Sequence, residues 1–375
     1  MMNKYILALV VILSFIGLPM KSQNNPYNLE LRWRTDTSIH SVPLNEFTVL
    51  LKPDEIPPID SPKFLERTKA VKFYFEHEPV IAIEKNGSAK AYPLSVLMYH
   101  EIVNDNLGEL PILVTYCPLC NAGIVFDRRL TFEGKTYLLD FGVSGMLRKS
   151  DLVMWDRQTE SWWQQLMGEA LVGKLAGAEL SFINSQIISV SEFFEAWPEG
   201  LMLSTETGHT REYGTNPYTG YDDKGISQPR LFEGKVDTRL PAMERVIDIN
   251  INGKYKIYPL SIVSDKQVIN DSFQGEPIVI FYTEKTVSVL DENNIASSKN
   301  VGSSTAFDPR VDNKTLIFRK VNNEFKDTDT ESTWTITGKC TEGYFKDRKL
   351  RTLRHGNHFA FAWFAFYPDS EIYED

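Results

Sequence analysis

Two stretches of the chain alternate apolar and polar residues on either side of an Asn-Gly pair: VIAIEKNGSAKAY, Val80 to Tyr92, and VIDININGKYKIY, Val246 to Tyr258. That pattern predicts hairpins, because a type I′ turn needs positive φ at both central positions, which Asn-Gly tolerates best. Pro-Leu-Ser follows each and opens a short helix on the pre-organised φ of proline. After Pro111 and Pro277 the β-branched runs ILVTY and IVIFY read as buried strands. Further strands are expected at GIVFDR, TYLLDFG and LVMWDR, and later at VSVLD and TLIFRKV.

The two regions are versions of one another. Laid together without a gap at an offset of 166, Pro79–Tyr116 and Arg245–Tyr282 are identical at 15 of 38 positions, among them Asn86/Asn252, Gly87/Gly253, Tyr92/Tyr258, Asn104/Asn270 and Asp105/Asp271. Thr159-Glu160-Ser161 with Trp163 resembles Thr330-Glu331-Ser332 with Trp334, and aromatic stretches ending at Pro198 and Pro368 close both copies. The expected fold is mainly β with minor helix (α+β), a tandem duplication of a roughly 120-residue β-rich unit, far longer than a solenoid repeat. The division predicted is 1–22 signal peptide, 23–78 N-terminal leader, 79–198 first repeat, 199–244 ordered connecting loop and 245–375 second repeat. Two related sheets packed together are expected.

Length and composition agree. At roughly 150 residues per domain, 375 residues suggest two domains, and 42% hydrophobic with 24% charged residues is globular. A net charge of −10 argues against nucleic acid as a partner. Lys4 followed by the apolar run Tyr5–Leu18 reads as a secretory signal too short for a membrane span. Cleavage at Ser22 would remove Lys4 and Lys21 and no acid, taking −10 to −12. An exported, periplasmic or extracytoplasmic protein is expected, with membrane anchoring through an uncleaved run as the alternative. Such a compartment permits disulfides.

The copies differ where the chemistry is. The first carries Cys117-Pro118-Leu119-Cys120; the second has Thr283 and Thr286 at the same offset. The scaffold therefore forms without the cysteines, and a disulfide across four residues would restrain the unfolded chain by only about 2 kcal/mol. Two thiols so spaced suit redox work, one attacking and the other resolving. The same Cys-x-x-Cys between strands also resembles a metal knuckle, for which Cys117 and Cys120 would be zinc or copper ligands. His355 and His358 could complete a Cys2His2 set, although their spacing is tight. Cys340 is expected to be a buried lone thiol. Since Val114, Leu119 and Ile124 make the surroundings apolar, activation must come from a distance, with Arg128, His100 and Arg211 as candidates. The expected pocket comprises Tyr116, His100, Asp156, Arg157, Trp163, His209 and Arg211. For Asp156 and Trp163, a capped turn over a core tryptophan is an equal reading.

IPPIDSP (Ile56–Pro62), TYCPLCNAG (Thr115–Gly123), GVSGML (Gly142–Leu147), DLVMWDRQTESWWQQ (Asp151–Gln165) with Gly168, NPYTGYD (Asn216–Asp222) and FAWFAFYPDSEIY (Phe361–Tyr373) resemble the bacterial and archaeal domain of unknown function 3179. The family name implies no activity. Some members are labelled selenoproteins, and this resemblance implies a redox couple at Cys117 and Cys120. The expected function is thus a thiol–disulfide or peroxide-type redox protein, a thiol oxidoreductase if it is an enzyme, acting on a small oxidant or redox partner and needing no cofactor and no metal. A copper or zinc binding module using the same thiolates, and a non-catalytic binding domain, stand as alternatives.

Overall fold

The computed structural model describes Leu31 and residues 33–375; the expected signal segment lies outside the described residues. Among the described residues no helix is long and apolar enough to cross a membrane. The structure is mostly strand with a few short helices.

The two halves have the same strand bounds at the 166-residue offset. Pro79–Lys85, Ser88–Pro93, Ile102–Leu107 and Leu110–Cys117 in the first correspond to Arg245–Ile251, Lys254–Pro259, Val268–Phe273 and Glu276–Thr283 in the second. Asn86 and Gly87 turn at φ 52° and 81°, Asn252 and Gly253 at 52° and 75°, as the I′ expectation requires. Pro93 and Pro259 lead into the helices Leu94–Leu97 and Leu260–Lys266. Side-chain anchors recur too. Tyr92 and Lys90 both donate to Asp105, and Tyr258 and Lys256 to Asp271. Asn104 clasps the backbone of Phe141 through both amide atoms, as Asn270 clasps Phe318.

Where two related sheets are expected, each half builds three sheets of four or five strands and one two-stranded ribbon. In the first, Pro79–Lys85 and Ser88–Pro93 centre a five-stranded sheet, while Leu110–Cys117 lies inside the order Phe182–Ile183, Ala122–Asp127, Leu110–Cys117, Ile102–Leu107. The third sheet orders Phe47–Val49, Phe141–Arg148, Asp151–Asp156, Trp162–Gln164 and Glu169–Val172. The segment expected as a leader is therefore woven in, Phe47–Val49 forming an edge of that sheet and Phe64–Leu65 an edge of the first. One apolar core runs through both halves, from Val80 and Tyr116 to Phe281, Phe307 and Trp363.

Three expected strands differ; TLIFRKV divides between Lys314–Thr315 and Phe318–Val321, in different sheets. TYLLDFG divides between Lys135–Leu138 and the strand starting at Phe141, which belong to different sheets. VSVLD is irregular, because its backbone serves the connecting loop instead: Asp291 and Leu290 carbonyls accept from the N–H groups of Gly220 and Tyr221.

Candidate metal centre

Leu110–Cys117 is buried along its whole length and paired on both sides. The chain cannot continue straight after Cys117, because Pro118 has no N–H and starts a single 3-10 turn, Pro118–Cys120. Asn121, left-handed at φ 51°, returns the chain antiparallel so that Cys117 pairs with Ala122. The turn brings both sulfurs to one side. Cys117 is 2% exposed and Cys120 0%, and both are free thiols.

Over this turn lies the tip of the hairpin Phe141–Arg148/Asp151–Asp156. Lys149 and Ser150 at its tip both have positive φ, 52° and 68°, without being glycine; such conformations cost of order 1 kcal/mol or more each and persist where surroundings enforce them. The Ser150 carbonyl accepts from Cys120 Sγ at 3.4 Å and faces Cys117 Sγ at 3.9 Å. The next residue is Asp151, wholly buried. Its Oδ2 accepts from Gln164 Nε2 at 2.7 Å and from the Leu166 N–H at 2.9 Å, which fixes the carboxylate. Its Oδ1 is buried with no hydrogen-bond partner. The two sulfurs and an Asp151 carboxylate oxygen lie within 4.8 Å of one another.

A second carboxylate stands close by. Glu101, 8% exposed, begins the turn into Ile102–Leu107 at φ 58°, and burial together with the nearby Asp151 charge pushes it up to about 8. Burial pushes Asp151 up to about 6, the Cys117 thiol up, and the Cys120 thiol well up. Asp151 raises Glu101 and both thiols, and Glu101 raises Cys117, whereas hydrogen bonds from the thiols lower Asp151; no lysine or arginine is among the strongest influences on the four. Four acidic groups thus share a buried place, and among the described residues neither carboxylate forms an ion pair. That state is tolerable only if the groups stay protonated or a cation joins them.

The loop Asn216–Asp222 closes the site. Tyr221 donates its hydroxyl to the Leu119 carbonyl at 3.1 Å, and Tyr116, Tyr218 and Tyr221 are all near enough to feel the sulfurs' charge. Asp222 anchors the loop through Arg245 at 2.9 Å, Lys299 at 2.8 Å and Ser288 at 2.6 Å.

Of the residues expected in the pocket, the structure brings Tyr116 alone to the cysteines. His100 is held by the Pro57 carbonyl and the Tyr213 hydroxyl, both at 2.7 Å, and His209 packs on its ring. Burial keeps His100 down at about 4. Arg211 donates to the Thr210 carbonyl, and Arg128 is taken up by Asp140 and the carbonyls of Leu139 and Asp105. Arg157 pairs with Asp60 at 2.8 Å and Asp54 at 3.5 Å, tying the N-terminal segment to the hairpin. Asp156 caps its own turn through Thr159 and receives Trp163 Nε1 at 2.9 Å, and Asp327, Thr330 and Trp334 repeat this in the other half. The capped-turn reading therefore accounts for Asp156 and Trp163. His355 and His358 bond around Leu353 and Asp248, apart from the cysteine group. Cys340 is buried, with its sulfur on the Glu342 carbonyl.

At the matching place in the second half, Thr283 bonds the Glu192 carboxylate and Thr286 bonds Ser303, which also donates to Glu192 at 2.6 Å. The threonines complete a hydroxyl network. Sequence reasoning missed Asp151, Glu101 and Tyr218 as site residues. A signal for Glu101 was present, since the gap-free overlay sets it against Gln267, an acid gained in the same copy as the cysteines.

The family described as "Protein of unknown function (DUF3179)" matches residues 53–370. No curated protein and no solved structure matches the chain.

Proposed function

Because the chain belongs to the DUF3179 family, whose description carries no activity, we propose its function from the site alone: it is a metal-binding protein whose centre is Cys117, Cys120 and Asp151. The observation that carries this is the buried trio of donors within 4.8 Å, one oxygen of which has no partner. Two thiolates with a carboxylate suit zinc(II); a hard oxygen donor makes copper(I) the poorer fit. Binding would discharge the thiol protons, so affinity rises with pH. The apolar run Tyr5–Leu18 supports placing this activity outside the cytoplasm.

Metal analysis of protein purified without chelator, followed by zinc titration, tests the proposal. One zinc per chain, lost in Cys117→Ser and Cys120→Ser, is expected. A folded, fully reduced protein that takes up neither zinc nor copper refutes it.

Redox use of the pair is the second reading, favoured by the adjacency of the sulfurs and by Asp151 as a buried proton acceptor. The two thiols would lose two electrons and two protons to a peroxide, forming the Cys117–Cys120 bond while the peroxide leaves as water or as water and an alcohol. Burial of both sulfurs weighs against exchange with a bulky disulfide. Loss of both thiols on stoichiometric peroxide, restored by dithiothreitol, would support it.

A further inference from the structure

We infer that Arg148, clamped by Glu46, is a positioning residue for the ion: it holds the Gln164 amide, which in turn holds Asp151 at the sulfurs. This rests on the metal reading above and adds what keeps that site in shape.

Each link is a direct contact. Glu46 Oε2 receives Arg148 Nε at 2.8 Å and Nη2 at 2.7 Å. Arg148 Nη1 donates to Gln164 Oε1 at 3.2 Å, and Gln164 Nε2 donates to Asp151 Oδ2 at 2.7 Å. Gln164 and Arg148 are both buried. Donor chemistry gives the relay its direction: a guanidinium can only donate, so it takes the amide oxygen and leaves the NH2 to the carboxylate. Without that cation the amide oxygen would be buried and unpaired, and Gln164 would lose the contact that keeps it in reach of Asp151. Glu46 has a second effect. Arg148 lies directly across the strand pair from Asp151, yet among the described residues its ion pair is with Glu46. Drawn to that side, the guanidinium leaves Asp151 Oδ1 with no stronger donor than the thiols.

The second half has no such relay. Counted from the capping aspartates Asp156 and Asp327, the two hairpins match pair by pair as far as Met146 with Val153 and Val321 with Glu324. Leu147 with Leu152 and Arg148 with Asp151 are extra, so one extension supplies both the aspartate and the arginine. Phe47–Val49 pairs along that extension as a fifth strand, where the matching sheet of the second half has four, and Glu46 immediately precedes it. Counted from the capped tryptophans Trp163 and Trp334, Gln164 stands where Thr335 stands, and Thr335 bonds Thr337 instead. The half with the cysteines therefore carries, at one buried place, the carboxylate, the amide that holds it, the arginine that holds the amide and the strand that brings in Glu46. Groups that orient a metal ligand in this way are worth about ten- to a hundredfold in affinity.

Cobalt(II) titration of the reduced full chain tests this, read as affinity and as the visible bands of the bound ion. Wild type is expected to bind one cobalt. Arg148→Met should weaken binding by about tenfold or more and shift the bands as Asp151 loses its orientation. Glu46→Gln should weaken it in the same sense, and the double variant should bind no more weakly than Arg148→Met alone, because links in series fail only once. A purely structural role would lower the urea midpoint and leave affinity and bands unchanged; that result overturns the inference, as do losses that simply add in the double variant, and both leave the three-donor site standing. No cobalt uptake by wild type overturns the metal reading itself and the relay with it. If Arg148→Met does not fold, Glu46→Gln, isosteric and on a half-buried side chain, decides alone: weaker binding supports the relay and unchanged binding overturns it.

Discussion

Replacing Asp151 by asparagine separates what this carboxylate does for the metal from what it does for the fold. The amide oxygen can keep both bonds of Oδ2, from Gln164 at 2.7 Å and Leu166 at 2.9 Å, so packing is retained. In metal-free protein, burial raises Asp151 from 3.8 to about 6. The folded state then holds a proton that the unfolded state has released, so stability is lost as pH climbs between those values and stays lost above them. Two units correspond to about 3 kcal/mol at about 1.4 kcal/mol each. Asparagine carries no such proton. With chelator and reductant present, urea unfolding should find Asp151→Asn close to wild type at about pH 4 and more stable by up to about 3 kcal/mol at neutral pH. Added zinc should reverse the order, since a thousandfold excess over Kd stabilises only the binder, by about 4.1 kcal/mol. Metal-free Asp151→Asn that is less stable than wild type at neutral pH would refute the reasoning, because the carboxylate would then have a cationic partner in the protein.

Three further outcomes are expected. Tyr221→Phe removes the bond that ties the Asn216–Asp222 loop to the Leu119 carbonyl; at about 1 kcal/mol, native-state labelling of Cys117 and Cys120 by a thiol reagent should quicken roughly fivefold, and an unchanged rate would mean the sulfurs are reached by another route. Cys340→Ala should cost roughly 1 kcal/mol in urea unfolding and leave zinc stoichiometry untouched, whereas lost zinc would enlist that sulfur in the site. Lys320→Met unpairs Gln267 Oε1 and the Tyr282 carbonyl, so stability should fall by about 1 kcal/mol with zinc uptake unchanged; a change in uptake would deny that the halves handle their charges separately.

The strands and turns were legible because local signals and periodicity agreed: Asn-Gly at two positions, proline ahead of each helix, and β-branched runs bounded by turn residues. The third sheet was harder to see. Its strands pair hairpins with segments far away in sequence, such as Phe47–Val49 with Phe141–Arg148, and no local pattern encodes that. The cysteines announced themselves by type and spacing. Asp151 did not, because a carboxylate at a strand start is ordinarily solvated, and only the tertiary placement of the Lys149-Ser150 tip turns it inward. His100, Arg157 and Asp156 looked like site residues for the converse reason. A polar segment beside two tryptophans and a histidine near the cysteines draw attention, yet these three spend their hydrogen bonds on carbonyls, the N-terminal segment and a turn.

The contrast between Cys117/Cys120 and Thr283/Thr286 carries more than the loss of a motif. Hydroxyls donate and accept, so Thr283, Thr286, Ser303 and Glu192 satisfy one another with no outside ion. Thiols are weak donors and weaker acceptors, and here they are the nearest donors to a buried carboxylate oxygen that no stronger donor reaches. A scaffold that can close this place with hydroxyls in one half, and leaves it unsatisfied in the other, has something to gain from the unsatisfied form. The gain is affinity for whatever supplies the missing positive charge, because donors already desolvated and held by Gln164, Leu166 and the Pro118–Cys120 turn lose little further freedom when a cation arrives. Restoring hydroxyls by Cys117→Thr with Cys120→Thr should therefore abolish ion binding without harming the fold.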